Sequence, residues 1–388
     1  MQCVFKAQRA ESKPASDIFV VNGTTGMDDG VTRLIDLMGS NRLYFYRTRM
    51  CPSGIIARDD VVIIKVNSQW DERGGTNTDL LRLLIAAIVK HPEGFTGEVI
   101  VADNGQAQYG STGRGGSFDY TRNNAEDVMQ SVNKVVEAFT SHRVSSYLWD
   151  GITTTRVKEY STGDDKDGYV VADTPNQHTG ALVSYPKFRT KYGTYISFKH
   201  GIWDPKSRTY DTNRPRVINM PVLKSHFIYG VTASVKSYQG VVSDKLTAQL
   251  GARAHITVAA GGLGTEMAET RFPALNIIDA IWVNARPQGG PGTKYEAAER
   301  LNVIVAGIDP IALDHWAAKN VLMQVARAKS YENIAHIDPD NVSPRSFGHW
   351  LRLSMDEIKR AGFATEIDEQ RMSVFVSEPR KSRTGKAP

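Results

Sequence analysis

The segment Asn219-Met220-Pro221-Val222-Leu223-Lys224-Ser225-His226 carries the densest reactive chemistry in the chain. Lys224 and His226 are two residues apart, so an extended backbone projects both from one side. Lys236 follows ten residues after His226. A lysine ammonium holds carboxylate or phosphate as a point charge. A histidine moves protons near neutral pH or binds a metal. Together they suggest a small anion held by lysines, with Lys224 and His226 as the catalytic pair.

Further polar residues collect after apolar runs. Lys65 and Asn67 follow the run 61–64, Asp103 and Asn104 follow 98–102, and Asp309 follows 302–306. Open α/β sheets bind ligands beyond the carboxyl ends of their strands. Lys65, Asn67, Asn77, Asn219 and Lys236 are therefore expected to bind substrate in one crevice. Asp309 and Asp314 are the candidate ligands for a divalent metal. Asp309 also suits a purely structural role, because Asp before Pro is a favoured helix cap and first turn. His315 is adjacent to Asp314 but points elsewhere on a helix, which makes it a poor partner.

The elements that would position these residues read as an α/β fold, a mostly parallel sheet flanked by helices with an antiparallel β insertion. The β-branched run 61–64 and the run 98–102 suit strands buried on both faces. The apolar helix 80–89 between them makes a βαβ unit. Helices are also expected over 31–38, 124–139, 310–321 and 354–361, and strands over 17–21, 216–219, 277–281, 302–306 and 373–376. From 152 to 215 helical periodicity gives way to Tyr, Thr and Val between turn pairs, which reads as antiparallel β structure. The resulting division is a flexible arm (1–16), a first core part (17–151), the insertion (152–215), a second core part (216–377) and a flexible tail (378–388). The glycine-rich stretches 110–117, 261–264 and 289–292 read as loops.

Composition excludes several classes. Hydrophobic residues make up 41% and charged residues 23% of the 388 positions, close to ordinary globular usage. The net charge of +5 is scattered, without a basic run, so no nucleic-acid partner is expected. Cys3 and Cys51 are the only cysteines, too few for an intrinsic iron–sulfur cluster. Whether they pair is open, and so is the redox compartment. No apolar stretch reaches the ~18 residues of a membrane span, and no signal-peptide core is visible. Localisation and oligomeric state stay unassigned. The sequence lacks a phosphate loop, a dinucleotide fingerprint, HExxH and GxSxG.

The runs VVIIKVNSQW with TNTD, INMPVLKSH, ASVKSYQG, NIIDAI and AGIDPIALDHWAAK resemble domain-of-unknown-function family 362, in that order, from about position 61 to 321. The resemblance implies an α/β fold and a site including Lys65, Asn67, Asn219, Lys224, His226, Lys236, Asp309 and Asp314. Many relatives carry ferredoxin-like cysteine motifs or an export signal, and this chain shows neither. Val222 stands where the family often has lysine, and Ser225 where it often has threonine. The expected function is an enzyme acting on a small carboxylate or phosphate compound, metal-assisted or not. The alternatives are a non-catalytic ligand- or metal-binding accessory of a redox system, and an interaction protein using the insertion as its contact surface.

Overall fold

Continuous β-branched runs form the centre of the molecule because only a strand covered on both faces can bury them all. The computed structural model describes residues 7–10, 15–106 and 116–378. Its main sheet contains β1 (Ser16–Asn22), β2 (Val61–Lys65), β3 (Glu98–Asp103), β4 (Val144–Leu148), β10 (Pro215–Asn219), β11 (Val222–His226), β12 (Gly230–Thr232), β13 (Leu275–Asn284), β14 (Glu299–Gly307) and β15 (Met372–Ser377). The order is β15-β1-β14-β13-β10-β2-β3-β4, with β11 and β12 attached beside β13. Every residue of β2 and β3 is buried.

Neighbours β10, β2, β3 and β4 run parallel, as do β10 and β13. The sheet is nonetheless mixed, because β14 runs antiparallel to both β1 and β13. The expectation that β14 resumes the parallel pattern is thereby corrected, although the register still sets its last residue, Gly307, level with Asn276 of β13, Asn219 of β10 and Lys65 of β2.

Alternation along the strands splits the core into two layers. Val62, Ile64, Val99, Val101 and Ile218 face one layer, which is covered by α1 (Gly30–Ser40), α2 (Thr78–Val89) and α3 (Val132–Glu137). Ile63, Ile100 and Val217 face the other. That side carries α4 (Ser234–Ser237), α5 (Asp244–Gln249), α6 (Ala254–Thr257), α7 (Gly262–Glu269), α8 (Pro310–Ala317), α9 (Met323–Ala328) and α10 (Phe347–Arg360). It also carries a five-stranded antiparallel sheet: β5 (Gly168–Val171), β6 (Ser184–Arg189), β7 (Tyr195–Ser197), β8 (Gly201–Asp204) and β9 (Thr209–Asp211), each paired with the next. This sheet docks through Tyr169, Phe188, Ile196 and Phe198.

Two local expectations change. The helix expected over 124–139 shrinks to α3. Asn124 donates its side-chain amide to Gly75 and accepts from Arg73, and Asp127 accepts from Met129 N–H. Such side chains offer the backbone an alternative to helix, which begins only at the Ser131 cap. The glycines at 261–264 do not form a loop; they open α7. A Cβ on Gly264 would collide with the Ser354 backbone of α10, so glycine permits the close approach of the two helices. The glycines at 289–292 do lie in a connection. Positions 1–6, most of the 110–117 stretch, Cys3, and the tail beyond 378 lie outside the described residues.

Candidate functional site

The cavity forms where the chain leaves the parallel strands. β10 ends at Asn219, and Met220-Pro221 steps the chain sideways before β11 resumes along β13. Met220 N–H is taken by the Lys65 carbonyl at 2.8 Å, and the Pro221 carbonyl accepts from Asp279 N–H at 2.8 Å. A bulge separates Val222 from Lys224 in the pairing with β13. β11 thus extends past the ends of β2 and β3 and carries Lys224 and His226 over them.

A cavity of about 280 Å³ results, with Lys65, Lys224, Lys236, His226, His255 and Asp103 in its lining. Asn67, Asn104, Gln106, Gln239, Trp70 and Phe227 complete much of the wall. Among the described residues Asp103 is the one carboxylate of that lining, so positive charge is in excess.

The three lysines differ. Lys65 Nζ pairs with Asp103 Oδ1 at 2.7 Å and donates to the Val66 carbonyl at 2.7 Å and to Ser237 Oγ at 2.9 Å. An ammonium has three N–H groups, so Lys65 is saturated. Gly240 makes this pairing feasible, because any Cβ there would overlap both Asp103 Oδ1 and Lys65 Nζ. Lys224 Nζ donates to the Gly74 carbonyl. Lys236 Nζ has no hydrogen-bond acceptor among the described residues and stands 5.4 Å from the Tyr229 ring centre. Burial pushes both amines down to about 7, opposed by Asp103 at Lys224 and by Asp244 at Lys236, with neighbouring lysine charges adding a smaller downward push. Burial also lowers Lys65, opposed by Asp103.

His226 is held in one tautomer. Its Nδ1 accepts from Ile228 N–H at 3.1 Å and Tyr229 N–H at 3.2 Å. Protonating Nδ1 would set three N–H groups against one another, so the proton sits on Nε2 and the ring stays neutral. Burial, then the Lys236 charge, push its pKa far down. His226 is thus a neutral Nε2–H donor. His255, 6.1 Å away between ring centres, is likewise held down, to about 3, chiefly by burial.

The other sequence candidates separate clearly. Asn67 lines the cavity, its Oδ1 accepting from Val222 N–H at 2.8 Å. Asn219 lies beneath it, bonded to Ser234 and Asn276. Asn77 caps α2 by accepting from Leu80 N–H at 3.0 Å and does not line the cavity. Asp309 caps α8 and also accepts from Ser16, Thr365 and Glu366 N–H. Its carboxylate is turned to these donors and does not line the cavity. Asp314 receives Ser234 N–H at 2.6 Å and Val235 N–H at 2.8 Å. It anchors the start of α4, the helix that bears Lys236. Protein N–H and O–H donors engage both carboxylates, which accounts for Asp309 and Asp314 structurally, and neither residue lines the cavity.

His315 joins Asp340 and Glu369 instead. Lys319 Nζ lies 2.7 Å from Asp340 and 2.5 Å from Glu369, supplying the cation itself.

Sequence reasoning missed His255, Gln106 and Gln239. Gln239 had a signal, three residues after Lys236 within the ASVKSYQG run, one helical turn on. Its buried amide has neither Nε2 nor Oε1 partnered among the described residues. His255 had none, because its short helix follows an irregular connection.

Comparison with known proteins agrees with the family resemblance over the second core part. Residues 213–319 match the family model of a domain of unknown function, DUF362. The matched span includes Asn219, Lys224, His226, Lys236, Asp309 and Asp314, whereas Lys65, Asn67 and Asn77 precede it. No curated protein and no solved structure matches the chain. Among the described residues, no helix is long and apolar enough to cross a membrane.

Proposed function

We propose that the protein is an enzyme acting on a small anionic compound, a carboxylate or phosphate, bound in this cavity. One observation carries the reading: Lys236 and Gln239 both line the cavity and are buried, and among the described residues Lys236 Nζ has no hydrogen-bond acceptor and neither amide atom of Gln239 has a partner. Unpaired buried polar groups are costly, and a ligand that satisfies them recovers that cost. Lys224 and Lys236 hold the anion, with two and three N–H groups free respectively. Lys65 fixes the floor through Asp103. His226 donates from Nε2 to an oxygen of the substrate. The amines near 7 take over acid/base duty from the histidine, since a group titrating near ambient pH suits proton transfer. The lining's surplus of cations favours an anion over a divalent metal.

Small-molecule and metal analysis of the purified protein by native mass spectrometry, followed by NMR of candidate carboxylates and phosphates, tests this. Conversion of a bound anion supports the enzyme. Binding without conversion supports the accessory-protein reading. Absence of any anion binding that depends on Lys224 and Lys236 removes both.

A further inference from the structure

We propose that Lys236 is an imine-forming lysine, condensing with the carbonyl group of a small oxo acid bound in the cavity. The inference rests on the anion-site reading above and goes beyond it by naming the reactive group of the substrate.

One feature distinguishes Lys236 from its neighbours, its lack of an acceptor among the described residues. Lys65 is committed to Asp103, Val66 and Ser237, and Lys224 is tethered to Gly74. Lys236 is 5% exposed, lines the cavity and has no acceptor among the described residues. A nucleophilic amine must be neutral and unencumbered, and enzymes reach that state by burying a lysine near other cations. The same surroundings bring Lys236 to about 7, so a large fraction is free amine at neutral pH. Gln239, three residues on, offers an unpartnered donor and an unpartnered acceptor. That combination suits an oxygen that changes from carbonyl to hydroxyl.

The chemistry balances without a further reactant. The Lys236 nitrogen lone pair forms an N–C bond, and the carbonyl π pair moves to oxygen. That oxygen takes a proton from the Lys224 ammonium, and the attacking nitrogen returns one to the Lys224 amine, which leaves a carbinolamine. Lys224 then gives that proton to the hydroxyl, the C–O bond breaks to release water, and the nitrogen lone pair becomes the C=N bond of a protonated imine. Lys224 and the neutral His226 Nε2–H stand beside the same cavity as donors to the departing oxygen and the carboxylate.

The test uses the whole chain, pyruvate as the oxo acid, acetone as a carbonyl without charge, and acetate as an anion without a carbonyl. Protein and pyruvate are treated with borohydride, and the reduced adduct is located by peptide mapping. The expected result is labelling of Lys236 at least tenfold above any other lysine, suppressed by acetate and weak with acetone. Lys236→Arg should lose it while keeping a wild-type circular dichroism spectrum. Adducts spread evenly over the lysines overturn the proposal, and this needs only the wild-type map. Acetate binding by calorimetry without any Lys236 adduct rejects the imine and leaves the anion reading intact. Equal labelling by acetone and pyruvate, unprotected by acetate, keeps the imine and rejects the anion reading.

Discussion

Replacing Lys236 by Met should make the protein more stable at acid and neutral pH, with the gain vanishing in alkali. Methionine keeps much of the volume and flexibility of the lysine stem, and no protein hydrogen bond is lost among the described residues. Burial lowers the amine from its ordinary 10.5 to about 7. At ~1.4 kcal/mol for each tenfold change in proton affinity, keeping the charged form costs roughly 4–5 kcal/mol, from the difference between those two values. Relaxation and cavity water reduce what a variant recovers. Replacing buried charged groups by apolar ones of similar volume typically returns about 1–4 kcal/mol. The pH dependence follows from proton counts. The unfolded chain keeps this proton up to about 10.5 and the folded chain only to about 7, so between them the unfolded state binds more and wild-type stability rises with pH. Below 7 both states are protonated and the full cost remains; above 10.5 neither is. Urea unfolding of both proteins from pH 6 to 10 should show a gap of ~1–4 kcal/mol at pH 6 that closes towards pH 10. A variant less stable than wild type at pH 6, or a gap unchanged across the range, would refute the reasoning.

The remaining expectations concern the same cavity. Gly240→Ala should cost about 1–3 kcal/mol by overpacking, seen as a lowered melting temperature, since its Cβ meets the Lys65–Asp103 pair; an unchanged melt would contradict the assigned contact. Nitrogen-15 NMR of His226 should show an unprotonated Nδ1 and protonated Nε2 from pH 8 to 5, given its two backbone donors; titration near the ordinary ~6.5 would restore the acid/base role. Asp314→Asn leaves one of two N–H groups unsatisfied, so it should cost about 1–3 kcal/mol and weaken acetate binding through displacement of Lys236; unaltered affinity would show that α4 needs no such anchor. Because Lys224 and Lys236 sit near 7 when the cavity is empty, acetate binding should take up protons and weaken as pH rises through 7, read by calorimetry in buffers of differing ionisation enthalpy; no proton uptake would mean the amines are already charged.

Strand identity was legible wherever apolar runs were continuous, because burial on both faces leaves little else such a run can do. β2, α2 and β3 follow their expected positions closely. Direction was not legible. A run such as 302–306 reads the same whether parallel or antiparallel, and here it pairs antiparallel with β13. Asp309 also follows a buried strand, but its carboxylate is spent on the α8 cap, Ser16, Thr365 and Glu366 N–H rather than turned into the cavity. The α3 region misled for a different reason: its asparagines and aspartates bond to backbone at distances a helical count does not register.

Residue type located the cavity but did not divide its labour; donor counting does. Asn104 gives its amide to Thr153, Tyr169 and the Val242 carbonyl, and Gln106 bonds to Gln239 and Val242 carbonyls and to Asp244 N–H. Those side chains, with Lys65 and Asp103, spend their polar atoms inside the protein and hold 239–244 against the loop after β3. They are framework. Lys236 and the Gln239 side chain sit on that framework, and among the described residues neither the Lys236 amine nor the Gln239 amide has a hydrogen-bond partner. A buried polar atom is kept unsatisfied at a cost, and two such residues one turn apart on the same wall give that cost a direction: towards a ligand that accepts from an amine and both accepts from and donates to an amide. A carboxylate alone meets the first demand, whereas an oxygen that can carry a proton meets the second, which is why the cavity is better matched to an oxo acid than to a simple anion.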